Sequence, residues 1–145
     1  MSIGEIIGVN NVIVGLRVGD KTQLLRELAR RAGSALSLDQ RVIFDALQAR
    51  ENLGSTGLGK GFALPHARLD ALSQFFALFV RLSRAIDYAA IDDRPVDLVI
   101  LLLTPDNAGN QHLAALSRPL RDETFVRRLR QAPDAEALHA LLADA

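Results

Sequence analysis

Apolar positions along this chain switch repeatedly between the alternation of a strand and the three-to-four spacing of a helix. Val12-Ile13-Val14-Gly15-Leu16-Arg17-Val18 is β-branched and reads as a first strand. Asp20 then caps a helical pattern in which Leu24, Leu25, Leu28, Ala29 and Ala32 share one face, with Gly33 as its stop. Ser37-Leu38-Asp39-Gln40 is a capping-box pattern that opens a second helix through Val42, Ile43, Ala46, Leu47 and Arg50. That helix runs into a glycine-rich loop, and Gly61–Ala67 follows as a short strand in which His66 lies at the end. Gln74–Leu82 sets Phe76, Leu78, Val80 and Leu82 against Phe75, Ala77, Phe79 and Arg81, a strand buried on both faces.

Asp92-Asp93-Arg94-Pro95 reads as a turn, and Val96–Leu103 is the most apolar strand of the chain. Thr104-Pro105-Asp106-Asn107-Ala108-Gly109 breaks it. Gly109 or Asn110 then opens a helix carrying His112, Leu113 and Leu116, which Pro119 ends or kinks. Asp122–Gln131 and Asp134–Ala143 read as two further amphipathic helices. No repeat, low-complexity tract or linker interrupts the pattern, so residues 1–145 are expected to form one domain. Strands interspersed with helices point to an α/β fold whose sheet is covered on both faces.

Composition narrows the partners. The 145 residues suffice for a proper hydrophobic core, and 49% apolar with 23% charged is ordinary globular usage. Lys plus Arg equals Asp plus Glu at 17 each, so no bulk charge draws the chain to nucleic acid or an anionic membrane. Arg118, Arg121, Arg127, Arg128 and Arg130 are interrupted by Asp122 and Glu123 and read as a solvated helix face. Cysteine is absent, which excludes disulfides, thiol catalysis and cysteine metal sites. Met1–Asn10 lacks the basic start and apolar stretch of a secretory signal. The greasiest runs, Phe75–Val80 and Leu98–Leu103, are too short to cross a bilayer, so no membrane insertion is expected. A soluble, cytoplasmic protein is the expectation.

The candidate chemistry sits in Arg50–Arg68, RENLGSTGLGKGFALPHAR. An arginine opens it, four glycines (Gly54, Gly57, Gly59, Gly61) follow, and Pro65 fixes the approach to His66. The segment suits an anion, specifically a phosphoryl group received by an imidazole. Gly54–Gly61 falls one residue short of the nucleotide-binding loop G-x-x-x-x-G-K-[ST], because Gly61 stands where a magnesium-holding hydroxyl is required. Its context is also wrong, since a helix precedes the loop and an extended Phe62-Ala63-Leu64-Pro65 follows it.

The run ARENLGSTGLGKGFALPHARL, then IDDRPVDLVILLLTP, then QHLAALS, resembles the enzyme IIA domain of the fructose/mannitol type of the bacterial phosphotransferase system. Within that family it most resembles the nitrogen-regulatory branch. The resemblance implies an α/β sandwich around a mixed sheet of about five strands, with helices on both faces. It implies that His66 accepts a phosphoryl group on Nε2 from a phosphocarrier resembling HPr or its nitrogen-branch counterpart. Arg50 matches the family's active-site arginine, whose planar fork binds phosphoryl oxygens at two points. His112 matches a second histidine near the first, as a hydrogen-bond donor to the phosphoryl group. The N–H groups of Gly54–Gly57, with the Ser55 and Thr56 hydroxyls, are extra candidate phosphate donors, although both hydroxyls also suit plain turn formation. His139 has no polar constellation near it and reads as structural or solvated. No metal or cofactor is needed, because positioning and electrostatics carry phosphoryl transfer.

Two roles fit the resemblance. The first is a regulatory phosphocarrier whose bare and phosphorylated forms bind different target proteins. The alternative is a sugar-specific IIA passing phosphate to a IIB cysteine for sugar uptake. A third class, a binding module without transfer, keeps the same surface. The leucine-rich tail Ala135–Ala145 packs on the sheet or offers a weak homodimer surface.

Overall fold

A computed structural model describes residues 2–106 and 111–145. Among them six strands, β1 (Val12–Leu16), β2 (Gly57–Gly59), β3 (Phe62–Ala63), β4 (His66–Leu69), β5 (Phe76–Ile86) and β6 (Val96–Pro105), form one mixed sheet in the order β1-β5-β6-β3-β2. β4 also pairs with β6: β3 lies parallel to its start at Leu98 and Val99, and β4 to its end from Leu102 to Pro105. The two therefore lie end to end along one neighbour, and the sheet is five strands wide as expected. β5 runs antiparallel to β6 and parallel to β1.

Alternation along the central strands sorts side chains to two cores. Leu78, Val80, Leu82, Val99, Leu101 and Leu103 face one layer, made by α2 (Lys21–Leu36) and α3 (Gln40–Asn52). Ala77, Phe79, Leu98, Ile100 and Leu102 face the other, made by α1 (Ile3–Ile6), α4 (Gln111–Ser117), α5 (Glu123–Gln131) and α6 (Ala135–Ala143). This is the α/β sandwich with helices on both faces.

Several expected boundaries move, each for a local reason. α2 does not stop at Gly33; it runs to Leu36, and Ser37 caps it in the left-handed conformation with its N–H on the Gly33 carbonyl. Gly33 instead lets the turn into α3 cross closely, since a Cβ there would lie 2.8 Å from the Leu38 carbonyl oxygen. Consequently Asp39, not Ser37, caps α3, accepting the Arg41 amide at 2.9 Å. The first strand ends at Leu16, two residues earlier than expected, after a register shift at Gly15 (φ 84°). The single strand expected over Gly61–Ala67 is interrupted at Leu64-Pro65. β5 outruns the expected Gln74–Leu82 and reaches Ile86. The helix start expected at Gly109 or Asn110 lies outside the described residues. Pro119 does end α4, within a 3-10 turn over Arg118–Arg121. Asp122 and Asp134 cap α5 and α6 as their patterns suggested.

The N-terminal segment gave no helical period, yet it forms α1 and a 3-10 turn at Val9–Asn11. Ile3 and Ile7 are completely buried there. His139 of α6 fastens this segment, its Nε2–H donating to the Ile7 carbonyl at 2.9 Å and the Gly4 carbonyl at 3.3 Å. The tail around α6 packs inward through Leu138 and Leu142. Arg130 is not merely solvated: its fork takes both Asp97 oxygens at 2.9 Å and the Lys60 carbonyl, tying α5 to the start of β6.

Candidate phosphoryl-acceptor site

His66 opens β4 opposite Leu102 of β6, half-buried at an edge where α3 passes beside β4. Its ring has one fixed partner. Nδ1 lies 2.8 Å from the Leu64 carbonyl oxygen. A carbonyl only accepts, so Nδ1 carries the proton and Nε2 keeps its lone pair. This identifies the acceptor that the sequence left unnamed.

A cavity of about 470 Å³ opens beside the ring, lined by His66, Arg68, Arg50, Leu53, Thr104 and Leu113 among others. Two guanidinium groups and an imidazole line it, and no carboxylate does among the described residues. The site therefore favours an anion. Arg50, in the last turn of α3, donates Nη1–H to the Gly54 carbonyl at 3.0 Å, which holds its side chain along the loop. Arg68 was not singled out in the sequence, although its place two residues after His66 on a strand gives it the same face. Its Nη1–H reaches the Asp106 carbonyl at 3.4 Å. A larger groove of about 560 Å³ between α2 and α3, lined by Arg26, Glu27 and Phe44, holds no histidine.

His112 stands in the first turn of α4, one residue before cavity-lining Leu113. Its ring stacks on Phe75 with centroids 4.3 Å apart. His112 Nδ1 is buried without a hydrogen-bond partner among the described residues.

The glycine loop serves the backbone more than the cavity. The Thr56 hydroxyl is buried, donating to Glu51 and lying 3.0 Å from the Tyr88 hydroxyl, and its amide donates to Glu51 at 3.0 Å. The Gly57 amide donates to Ser55 Oγ at 3.1 Å, and Ser55 Oγ–H donates to the Tyr88 carbonyl at 3.3 Å. The Gly54 amide donates to the Glu51 carbonyl. The Gly54, Thr56 and Gly57 amides and the Ser55 and Thr56 hydroxyls thus all have partners inside the protein, and residues 54–57 are not among those lining the cavity. Gly57 is glycine because a Cβ would lie 2.7 Å from Ala90 Cα.

Beneath the loop lies a charged pair that the sequence reading missed. Glu51 is buried and meets Lys21 Nζ at 2.9 Å, and Lys21 also sits 4.3 Å over the Tyr88 ring. Burial works to raise the Glu51 carboxyl, but hydrogen bonds from Lys21 and Thr56 outweigh it and hold the group below the ordinary carboxylate range. Burial first, then the Glu51 charge, pushes the Tyr88 phenol far up, so it stays protonated.

Residues 5–145 match the family described as phosphoenolpyruvate-dependent sugar phosphotransferase system, EIIA 2. A nitrogen regulatory protein of Bradyrhizobium diazoefficiens is 42% identical, covering 99% of this chain and 95% of its own length. A fructose-specific EIIA component of Haloferax volcanii is 36% identical over 84% of this chain and 80% of its own. The crystal structure of the nitrogen regulatory protein IIA-Ntr of Neisseria meningitidis superposes with a TM-score of 0.89 at 35% identity, covering 97% of this chain and 98% of that one. The sandwich with a histidine at its strand edge is thus a phosphotransferase component, and the chain belongs to the EIIA type 2 family of that system.

Proposed function

We propose that this protein is a regulatory phosphocarrier of the nitrogen type, taking a phosphoryl group on His66 Nε2 from an HPr-like carrier protein. The observation that carries the reading is the His66 Nδ1–H bond to the Leu64 carbonyl, which leaves Nε2 as the lone-pair nitrogen beside a cationic cavity. In transfer, the Nε2 lone pair forms the new N–P bond while the bond from phosphorus to the carrier's leaving atom breaks and that atom recovers its electron pair. Arg50 binds the equatorial oxygens, where charge spreads in the transition state. His112 donates Nε2–H to the same group, and Arg68 adds positive charge. Ser55 and the exposed Gly54 shape the loop that follows Arg50, while Thr56 and Gly57 hold it from inside.

Leu53 stands 84% exposed beside the cavity, and an exposed leucine at a charged site fits a protein partner. A phosphoryl group placed there adds negative charge to a rim of Leu53, Leu113 and arginine. That change alters affinity for target proteins by repulsion and desolvation. The similarity to relatives named nitrogen regulatory protein supports the regulatory role.

The fructose-specific relative favours a second reading, transfer onward to a IIB cysteine for sugar uptake. Purified protein incubated with phosphoenolpyruvate, enzyme I and carrier separates the outcomes. Acid-labile phosphate mapped to His66 and lost in His66→Ala is the expected result. No label with the carrier phosphorylated would leave only a binding module. Rapid chase of label onto a IIB cysteine would replace the regulatory reading with the sugar-specific one.

A further inference from the structure

A line of hydrogen bonds runs from the buried carboxylate to the candidate acceptor. Glu51 takes both the amide and the hydroxyl of Thr56. The Thr56 carbonyl accepts the Leu64 amide at 3.0 Å. The Leu64 carbonyl accepts His66 Nδ1–H at 2.8 Å. Pro65 secures the far side, its carbonyl accepting the Leu102 amide at 3.0 Å. Thr56 and Leu64, the two links between Glu51 and the imidazole, are each held on both sides.

We propose that Glu51 is a positioning residue for phosphoryl transfer, holding His66 as the Nδ1–H tautomer through Thr56 and the Leu64 carbonyl while fixing Arg50, its neighbour on α3. This rests on the phosphocarrier reading of His66. Local structure explains why such a brace is needed. β2 has three residues and β3 two, and the ladder between them shifts register at Gly57/Gly59. β3 also pairs with β6, but only at Phe62 and Ala63, so neither ladder reaches the Leu64 carbonyl. The carboxylate supplies the missing constraint from the end of α3, where Arg50 also sits. One group thus sets the distance between the acceptor imidazole and the guanidinium that receives the phosphoryl oxygens.

A buried carboxylate is an expensive way to close a turn, because its desolvation must be met by strong hydrogen bonds. Here the Thr56 bonds come from the loop, and Lys21 and Tyr88 complete the shell around Glu51 and Thr56. Lys21 comes from the N-terminus of α2, so the brace spans α2, α3, the glycine loop and the segment after β5.

The test uses full-length protein with ¹⁵N-labelled histidine. Long-range ¹H–¹⁵N spectra read the His66 tautomer directly, and single-turnover transfer from a phosphorylated carrier reads kcat and KM. In wild type His66 is expected as Nδ1–H. Glu51→Gln and Thr56→Val are expected to bring in the Nε2–H tautomer and lower kcat by about ten- to a hundredfold, with KM for the carrier within about twofold. Leu138→Ala, in α6 on the opposite layer, is the stability control and leaves the tautomer unchanged. If Glu51→Gln fails to fold, Thr56→Val carries the test, because it keeps the buried ion pair. A His66 that stays wholly Nδ1–H in the folded variant would overturn the positioning role. The tautomer needs no phosphate, so wild type that takes no label would sink the phosphocarrier reading while the spectra still decide this one.

Discussion

At the scale of single residues, the proposed transfer divides labour between a nucleophile, its orienting acceptor and fixed positive charge. Arg50 is the sharpest case, since a lysine keeps the charge but loses the planar fork. Arg50→Lys is expected to slow transfer to His66 by about a hundred- to a thousandfold, the cost of losing one preorganised transition-state donor. Single-turnover kinetics with a phosphorylated carrier measures it, and a rate within about threefold of wild type would remove Arg50 from the chemistry. Legibility in the sequence was uneven at this scale. That His66 and Arg50 line one cavity is readable in the sequence, because the loop motif names both residues. Leu64 was not, because a carbonyl has no letter of its own. Thr56 stays open between phosphate donor and turn former in the sequence, because a hydroxyl in a glycine loop looks the same whether it faces out or in. Its inward turn depends on Glu51 and Tyr88, the latter 32 residues away in sequence.

At the scale of elements, helix and strand identity followed the periodicity, and the boundaries followed contacts that no local pattern contains. Gly33 looked like a stop because glycine usually ends helices. It is inside α2 because the backbone of the next turn crosses it. Two principles therefore oppose each other in Gly33→Ala. Helix propensity would stabilise by about 1 kcal/mol. A Cβ placed 2.8 Å from the Leu38 carbonyl oxygen forces backbone apart, an overpacking cost of about 1–3 kcal/mol. Net destabilisation in urea unfolding is expected, and a gain in stability would show that the turn yields freely. Four-residue α1 escaped notice because so short a helix has too few turns to repeat a pattern. It exists through tertiary burial of Ile3, Ile6 and Ile7 and the His139 bonds.

For the molecule as a whole, the sheet divides labour between its two helical layers. The α2–α3 layer brings Lys21, Arg50 and Glu51 to the loop, while the other layer brings His112 and closes the second core. Leu138 anchors that second core at 0% exposure. Leu138→Ala is expected to cost about 2–5 kcal/mol in global unfolding without changing the His66 environment. A loss under about 1 kcal/mol would show that α6 is dispensable to the core.

Acid sensitivity is also a property of the whole. Glu51 has its carboxyl held below its ordinary value of 4.5, because the Lys21 and Thr56 bonds overcome burial. Glu27 is lowered chiefly by its bond from Arg30, and Asp92 chiefly by the Lys60 amide. A carboxyl lowered by folding contributes stability that is complete above the unfolded-state value and lost as pH falls through the folded one. Unfolding free energy should therefore be flat near neutrality and decline below about pH 4.5. Glu51→Gln should show a shallower acid decline than wild type from a lower starting stability. Parallel acid profiles for the two proteins would mean that the buried pair contributes nothing to the pH dependence.

The central claim is that His66 presents Nε2 to the phosphoryl group while Nδ1–H stays on Leu64. The most direct measurement is ¹H–¹⁵N and ³¹P NMR of the phosphorylated protein, labelled at histidine. The account predicts phosphorus bonded to His66 Nε2 with Nδ1 still protonated. Phosphorus on Nδ1, or on His112, would contradict it, because the first requires breaking the Leu64 bond and the second moves the acceptor from β4 to α4.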